Sequence, residues 1–171
     1  MFDLYVFTFH NDGQIHRSLA LLSPEKVQHY GLPTEAVLGE ISALLPTMTP
    51  DQFEANEAFL TLLHKTIRQF GPQLTELQAQ AKTQGTGYLP FIDGRAQDST
   101  QLAQEDILGQ FQISRGEIKA DSYLPNPHYK LLTDNGPIQL PSLIETHIME
   151  AVHKQLERDP STTTHKITSN E

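Results

Sequence analysis

The chain contains no cysteine and no tryptophan, and no apolar stretch approaches the length of a membrane span. Without cysteine there are no disulfides, thiolate metal sites, iron–sulfur clusters or cysteine nucleophiles. A helix across a bilayer needs roughly 20 mostly apolar residues, and none is found. Nor does the N-terminus read as an export signal, since Asp3 arrives at once and His10-Asn11-Asp12-Gly13 breaks the short apolar run. These features place the chain in the cytoplasm by expectation.

Positive charge is also scarce. Twelve Lys and Arg stand against 21 Asp and Glu, a net charge of −9 with histidine neutral. Such a surface repels phosphate backbones and anionic headgroups, so neither nucleic acid nor membrane is an expected partner. A protein partner is compatible with this charge. With 171 residues, eight Phe and five Tyr, the chain is long and aromatic enough for a core of its own. The expectation is one α+β domain over residues 1–159 and a flexible tail over 160–171, whose Ser/Thr-rich, apolar-poor composition cannot offset its ordering entropy.

Local patterns give the elements. Phe2 to Phe9 reads as a strand closed by Asn11-Asp12-Gly13, and Ser23-Pro24-Glu25 as a capped helix start stopped by Gly31. Val37, Leu38, Ile41, Leu44 and Leu45 fit one face of a second helix from Thr34 to Leu45, ended by Pro46. Thr49-Pro50-Asp51-Gln52 has the residues of a capping box before a third helix bearing Phe59, Leu60, Leu63, Ile67 and Phe70. Gly71-Pro72 must end it, and Leu74, Leu77 and Ala81 suggest a weaker helix beyond. On this reading everything between the first strand and Gly85 is helical.

From Gly85-Thr86-Gly87 onward the pattern changes to strands. Tyr88 to Ile92 is one, and a two-residue turn at Arg115-Gly116 would set Ile113 opposite Ile118 and Phe111 opposite Ala120. Asp134-Asn135-Gly136 marks a further hairpin, placed at a sheet edge by Pro137. Ile144, Ile148, Ala151, Val152 and Leu156 mark a closing helix from Pro141 to Arg158. The fold class expected is α+β: a mostly antiparallel sheet of hairpins with a central helical segment and a C-terminal helix.

Chemistry-bearing motifs are few. Gly85-Thr86-Gly87 lacks the Lys-Ser/Thr of a phosphate loop and the third glycine of a dinucleotide fold, and reads as a turn. Glu150 and His153 have the spacing of half a carboxylate di-metal motif without the other half. His10, Asp12 and His16 lie together in one loop, too few and too loosely held for zinc. No metal or cofactor is expected. His64 and His147 each share an apolar helical face and read as half-buried histidines satisfied by a carbonyl or carboxylate.

The densest polar group is Asp93, Arg95 and Asp98 after one strand, with Tyr123, His128 and Tyr129 around later turns. Asp with His can perform acid–base work, and Arg can hold an anion. Turn chemistry and an internal Arg–carboxylate pair explain the same residues. Ile92-Asp93-Gly94-Arg95, Glu105-Asp106-Ile107-Leu108-Gly109 and Ser122-Tyr123-Leu124-Pro125-Asn126-Pro127 resemble segments of uncharacterised cyanobacterial proteins. The resemblance covers the C-terminal half, and because those proteins have no assigned activity it implies no mechanism. The functional expectation is a non-catalytic binding or adaptor protein acting through its β-rich half, with Tyr123 and Arg95 as exposed anchors. The alternative is a small enzyme using Asp93, Arg95, Asp98 and His128.

Overall fold

A computed structural model describes residues 1–42, 49–96 and 100–158. The fold is α+β, built from antiparallel hairpins with a central helix and a C-terminal helix, and every strand pair is antiparallel. No helix among the described residues is long and apolar enough to cross a membrane. The chain divides into two compact units: Phe2–Leu62 with the chain from Ile148, and Met1 with Leu63–His147. The long helices α2 (Glu57–Phe70) and α4 (Ser142–Arg158) contribute residues to both.

The first unit holds a four-stranded sheet in the order β1 (Tyr5–Asn11), β2 (Gln14–Ala20), β3 (Val37–Ile41), β4 (Phe53–Ala55). Asn11 pairs with Gln14 around Asp12 and Gly13, both at positive φ, which gives the tight two-residue turn whose twist suits a hairpin. Helix α1 (Pro24–Tyr30) starts on Ser23, whose hydroxyl accepts from Lys26 N–H, and stops at Gly31 with φ 86°. Phe7, Leu19, Leu22, Val27, Leu38 and Phe59 are buried in this unit.

Two expectations fail here. The segment from Thr34 is not a helix: one 3₁₀ turn (Thr34–Ala36) leads into β3, while Leu44, Leu45 and Pro46 lie outside the described residues. Val37, Leu38 and Ile41 fit either period over so short a run, and long-range pairing with β2 and β4 decides for the strand. Gly39 is the signal that argued for it. Glycine costs a helix interior about 1 kcal/mol, whereas in the sheet it lets the Phe53 ring and backbone of β4 lie where a side chain would stand.

Thr49 and Gln52 do engage, Thr49 N–H donating to Gln52 Oε1 at 3.3 Å, but they close a single 3₁₀ turn and not the long helix. The Thr49 hydroxyl turns to Asp51 and, with a backbone hydrogen bond, holds that carboxyl below its usual range. β4 intervenes, and Asn56 is the residue that starts α2: its Oδ1 accepts from Ala58 N–H at 3.2 Å. Strand β2, which sequence reading omitted, is one of the two central strands of the N-terminal sheet.

The second unit follows the expected pattern more closely. Helix α3 (Thr75–Gln84) leads through Gly85 into β5 (Gly87–Ile92), which pairs with β6 (Ile107–Ser114). β7 (Glu117–Ile118) returns through Arg115-Gly116 with Ile113 opposite Ile118, as the sequence register requires, but the ladder ends before Ala120. β8 (Leu124–Pro125) pairs with β6 on the same edge as β7, opposite β5, and β9 (Leu132–Thr133) with β10 (Gly136–Pro137) forms a separate ribbon. Leu89, Phe91, Phe111 and Ile113 make the buried face, where the Phe111 and Tyr123 rings lie 5.0 Å apart.

Candidate functional site

The chain leaves β5 through Asp93-Gly94-Arg95, a 3₁₀ turn that folds the Arg95 side chain inward until none of it is exposed. Its guanidinium has five N–H donors, and all five are taken inside the protein. Nε donates to Asp106 Oδ1 at 2.7 Å. Nη1 donates to the carbonyls of Leu131 and Gly136 at 3.0 and 3.2 Å. Nη2 donates to the carbonyls of Glu105, at 3.1 Å, and Lys130. The Tyr129 ring lies 5.4 Å from the guanidinium carbon, so the cation also rests on a π face.

The carboxylates around it are equally committed. Asp93 Oδ1 accepts from the backbone N–H of Arg95 and Gln139, at 3.0 and 2.9 Å, and Oδ2 from the Tyr129 hydroxyl at 2.8 Å. Burial raises its pKa, against the pull of these donors and of Arg95, 3.7 Å away. Burial likewise pushes the Tyr129 hydroxyl far up, reinforced by the Asp93 charge. Asp106 Oδ2 accepts from Asn135 Nδ2 at 3.0 Å. The network ties the end of β5, the turn before β6 and the β9–β10 ribbon into one body.

Three of the sequence candidates, Asp93, Arg95 and Tyr129, therefore meet, and the sequence missed Asp106 as the direct carboxylate partner. The acidic pair Glu105-Asp106 was its signal. Two expectations are corrected: Arg95 is not an exposed anchor, and neither is Tyr123, which is 2% exposed. Tyr123 leaves its hairpin face because the β7 ladder stops early, and its ring then packs over Gly109 and Phe111. His128 is exposed, and its backbone N–H donates to Asn126 Oδ1 at 3.1 Å. Asp98 lies outside the described residues.

Tyr123 instead meets His64 of α2. Its hydroxyl donates to Leu108 O at 3.0 Å, so the 2.9 Å bond to His64 is donated by Nδ1–H and leaves Nε2 as the free acceptor of the neutral ring. Burial, with Arg68 one turn along the helix, pulls the His64 pKa from 6.5 to about 4. The expected carbonyl or carboxylate partner is thus a tyrosine hydroxyl. His147 stacks flat on Phe70, ring centroids 3.4 Å apart.

His10, Asp12 and His16 belong to a hairpin and not to a loop. His16 pairs with Phe9, which places His10 on the opposite face of the β1–β2 ribbon. Among the described residues no group of three or more His, Asp or Glu is placed to hold a metal ion. His153 Nε2 lies 3.1 Å from Lys26 Nζ.

Among the described residues, two cavities are notable. One, about 700 Å³, lies on the N-terminal sheet and is lined by Phe9, His16, Ser18, Glu40, Glu54 and Glu57 among others. The second, about 710 Å³, is lined chiefly by apolar residues including Leu74, Leu77, Phe91 and Leu140. No protein-family model, no curated protein and no solved structure matches the chain.

Proposed function

We propose that this chain is a non-catalytic binding protein that meets a protein partner through its β-rich half. The observation that carries the reading is the outer face of the second sheet. The register sets Tyr88 beside Gln112, Pro90 beside Gln110, and Gln110 beside Leu124, so these five side chains share one face. Tyr88 is 57% and Leu124 54% exposed, and no charged residue interrupts the five. In a chain of net charge −9, an uncharged, half-apolar face is an unusual surface to leave to water. Interface cores are likewise depleted in charge and enriched in tyrosine.

What weighs against catalysis at the Asp93 cluster is saturation. Arg95 has no donor left for an anion, and the carboxylates accept from donors of the chain itself. The site of contact accordingly moves from Arg95 and Tyr123 to Tyr88 and Leu124. The test compares capture of partners by the parent chain and by Tyr88→Ser/Leu124→Ser. The double variant should melt within a few degrees of the parent and lose a specific captured protein. Retention of every captured protein by a folded variant refutes the reading.

A further inference from the structure

The turn of the β9–β10 ribbon carries the chain's one Asn-Gly step. Of five asparagines only Asn135 precedes glycine; Asn11, Asn56 and Asn170 precede acidic residues, and Asn126 precedes Pro127, whose nitrogen has no hydrogen. Asparagine is chemically labile, because the backbone nitrogen of the next residue can attack its side-chain carbonyl carbon. Glycine in that next position leaves the approach unobstructed, and nothing lies within 4 Å of where a Gly136 Cβ would stand. Asn135 is exposed, so water reaches the site.

What distinguishes the step is how it is held. Asn135 Nδ2 donates to Asp106 Oδ2 at 3.0 Å, so an exposed residue has its reacting amide fixed to a carboxylate that is 1% exposed. Gly136 pairs with Thr133, and its carbonyl accepts from Arg95 Nη1 at 3.2 Å. Arg95 Nε in turn donates to Asp106 Oδ1 at 2.7 Å. One buried ion pair therefore grips both residues of the reacting dipeptide, the amide through Asp106 and the backbone through Arg95. A two-stranded ribbon has little stability of its own, and this one has two residues in each strand. Its closure rests on that grip, and opening frees the Asn135 side chain to turn toward the Gly136 nitrogen.

We propose that Asn135-Gly136 is a self-modification site gated by the Arg95–Asp106 pair, which reacts when the ribbon opens and cannot close as before once it has reacted. The Gly136 nitrogen bonds to Asn135 Cγ, the Cγ–Nδ2 bond breaks, and the amide leaves as ammonia with the proton that the Gly136 nitrogen gives up. Water then opens the five-membered imide at either carbonyl, leaving aspartate or isoaspartate at position 135 with no change of oxidation state. Either product removes the Asn135 donor from Asp106 Oδ2 and adds a second negative charge beside it. Arg95 has no donor left to offset that charge, since its five are taken. Isoaspartate also lengthens the backbone of a tight turn by one atom. The site is separate from the Tyr88 and Leu124 face, and either assignment can fail without the other.

The test incubates the full chain and a free peptide spanning Leu131 to Gln139 at physiological pH and temperature, and reads conversion at Asn135 by peptide mapping with isoaspartate detection. Conversion in the folded chain should be at least about tenfold slower than in the peptide, as a reaction confined to an open minority requires. Arg95→Lys keeps the charge but not the pattern of bonds, and should speed conversion in the folded chain by at least about threefold. Should that variant fail to fold, the parent in urea below its unfolding transition takes its place. The rate should rise with pH, because the attacking nitrogen must lose its proton. Converted chain and Asn135→Asp should both melt about 3–8 °C below the parent, the loss of a donor to a buried carboxylate. Asn11→Asp, outside the network, should melt with the parent. Conversion of the folded chain at the rate of the peptide overturns the proposal, as does a rate that Arg95→Lys leaves unchanged. Converted chain melting with the parent overturns it too, since the new carboxylate would then not disturb Asp106.

Discussion

Replacing Arg95 with alanine is the severest single test of the buried network. The substitution leaves Asp93 and Asp106 facing each other's surroundings without their cation, and it takes the donor from four carbonyls, those of Glu105, Lys130, Leu131 and Gly136. Breaking a buried pair by removing one partner costs about 3–5 kcal/mol, because the remaining charge stays buried. Solvent that enters the vacated space and protonation of Asp93 each soften the loss, so a value near 4 kcal/mol is expected. A domain of ordinary stability has only about 5–15 kcal/mol in total. Arg95→Lys keeps the charge but cannot reach five acceptors on three segments, and should lose about half as much. Equilibrium urea unfolding followed by far-UV circular dichroism measures both. A loss below about 1 kcal/mol for the alanine variant would refute the reasoning, since it would mean the guanidinium contributes no more than an exposed ion pair.

Other outcomes follow from single features. His64 is held neutral in the folded state, with a pKa near 4 against 6.5, so the unfolded chain takes up the proton first as pH falls. Stability from this group is complete above about pH 6.5 and is lost down to pH 4, by roughly 1–2 kcal/mol once solvent access to the ring is allowed for; His64→Phe should flatten that slope in melts taken across the range. Protonation of histidine makes the net charge of −9 less negative, and light scattering should show solubility falling as pH drops from 7 to 5.5. Gly109→Ala would set a methyl 2.6 Å from the Tyr123 hydroxyl and ring, and should cost about 1–3 kcal/mol in the same urea assay. Zinc at millimolar excess should leave the melting temperature unshifted, and a large concentration-dependent rise would contradict the placement of His10 and His16 on opposite faces.

The sequence by itself determined what depends on neighbours along the chain. Ser23 and Gly31 bound α1, Gly71-Pro72 ends α2, and Arg115-Gly116 fixes the pairing of Ile113 with Ile118, because caps and two-residue turns act over three or four residues. The stripes of α2 and α4 were legible for the same reason, a period repeated over fourteen and seventeen residues. Tertiary structure alone decided the rest. Val37–Ile41 became a strand through pairing with residues some twenty positions earlier and fourteen later, which no local period records. Arg95 was legible as a charged residue near turns, but its burial depends on carbonyls supplied from Glu105 to Gly136, a closure made only when β9 and β10 fold back. Glu40 and Glu54 are fourteen positions apart and unremarkable in the sequence. Sheet register alone makes them neighbours across β3 and β4.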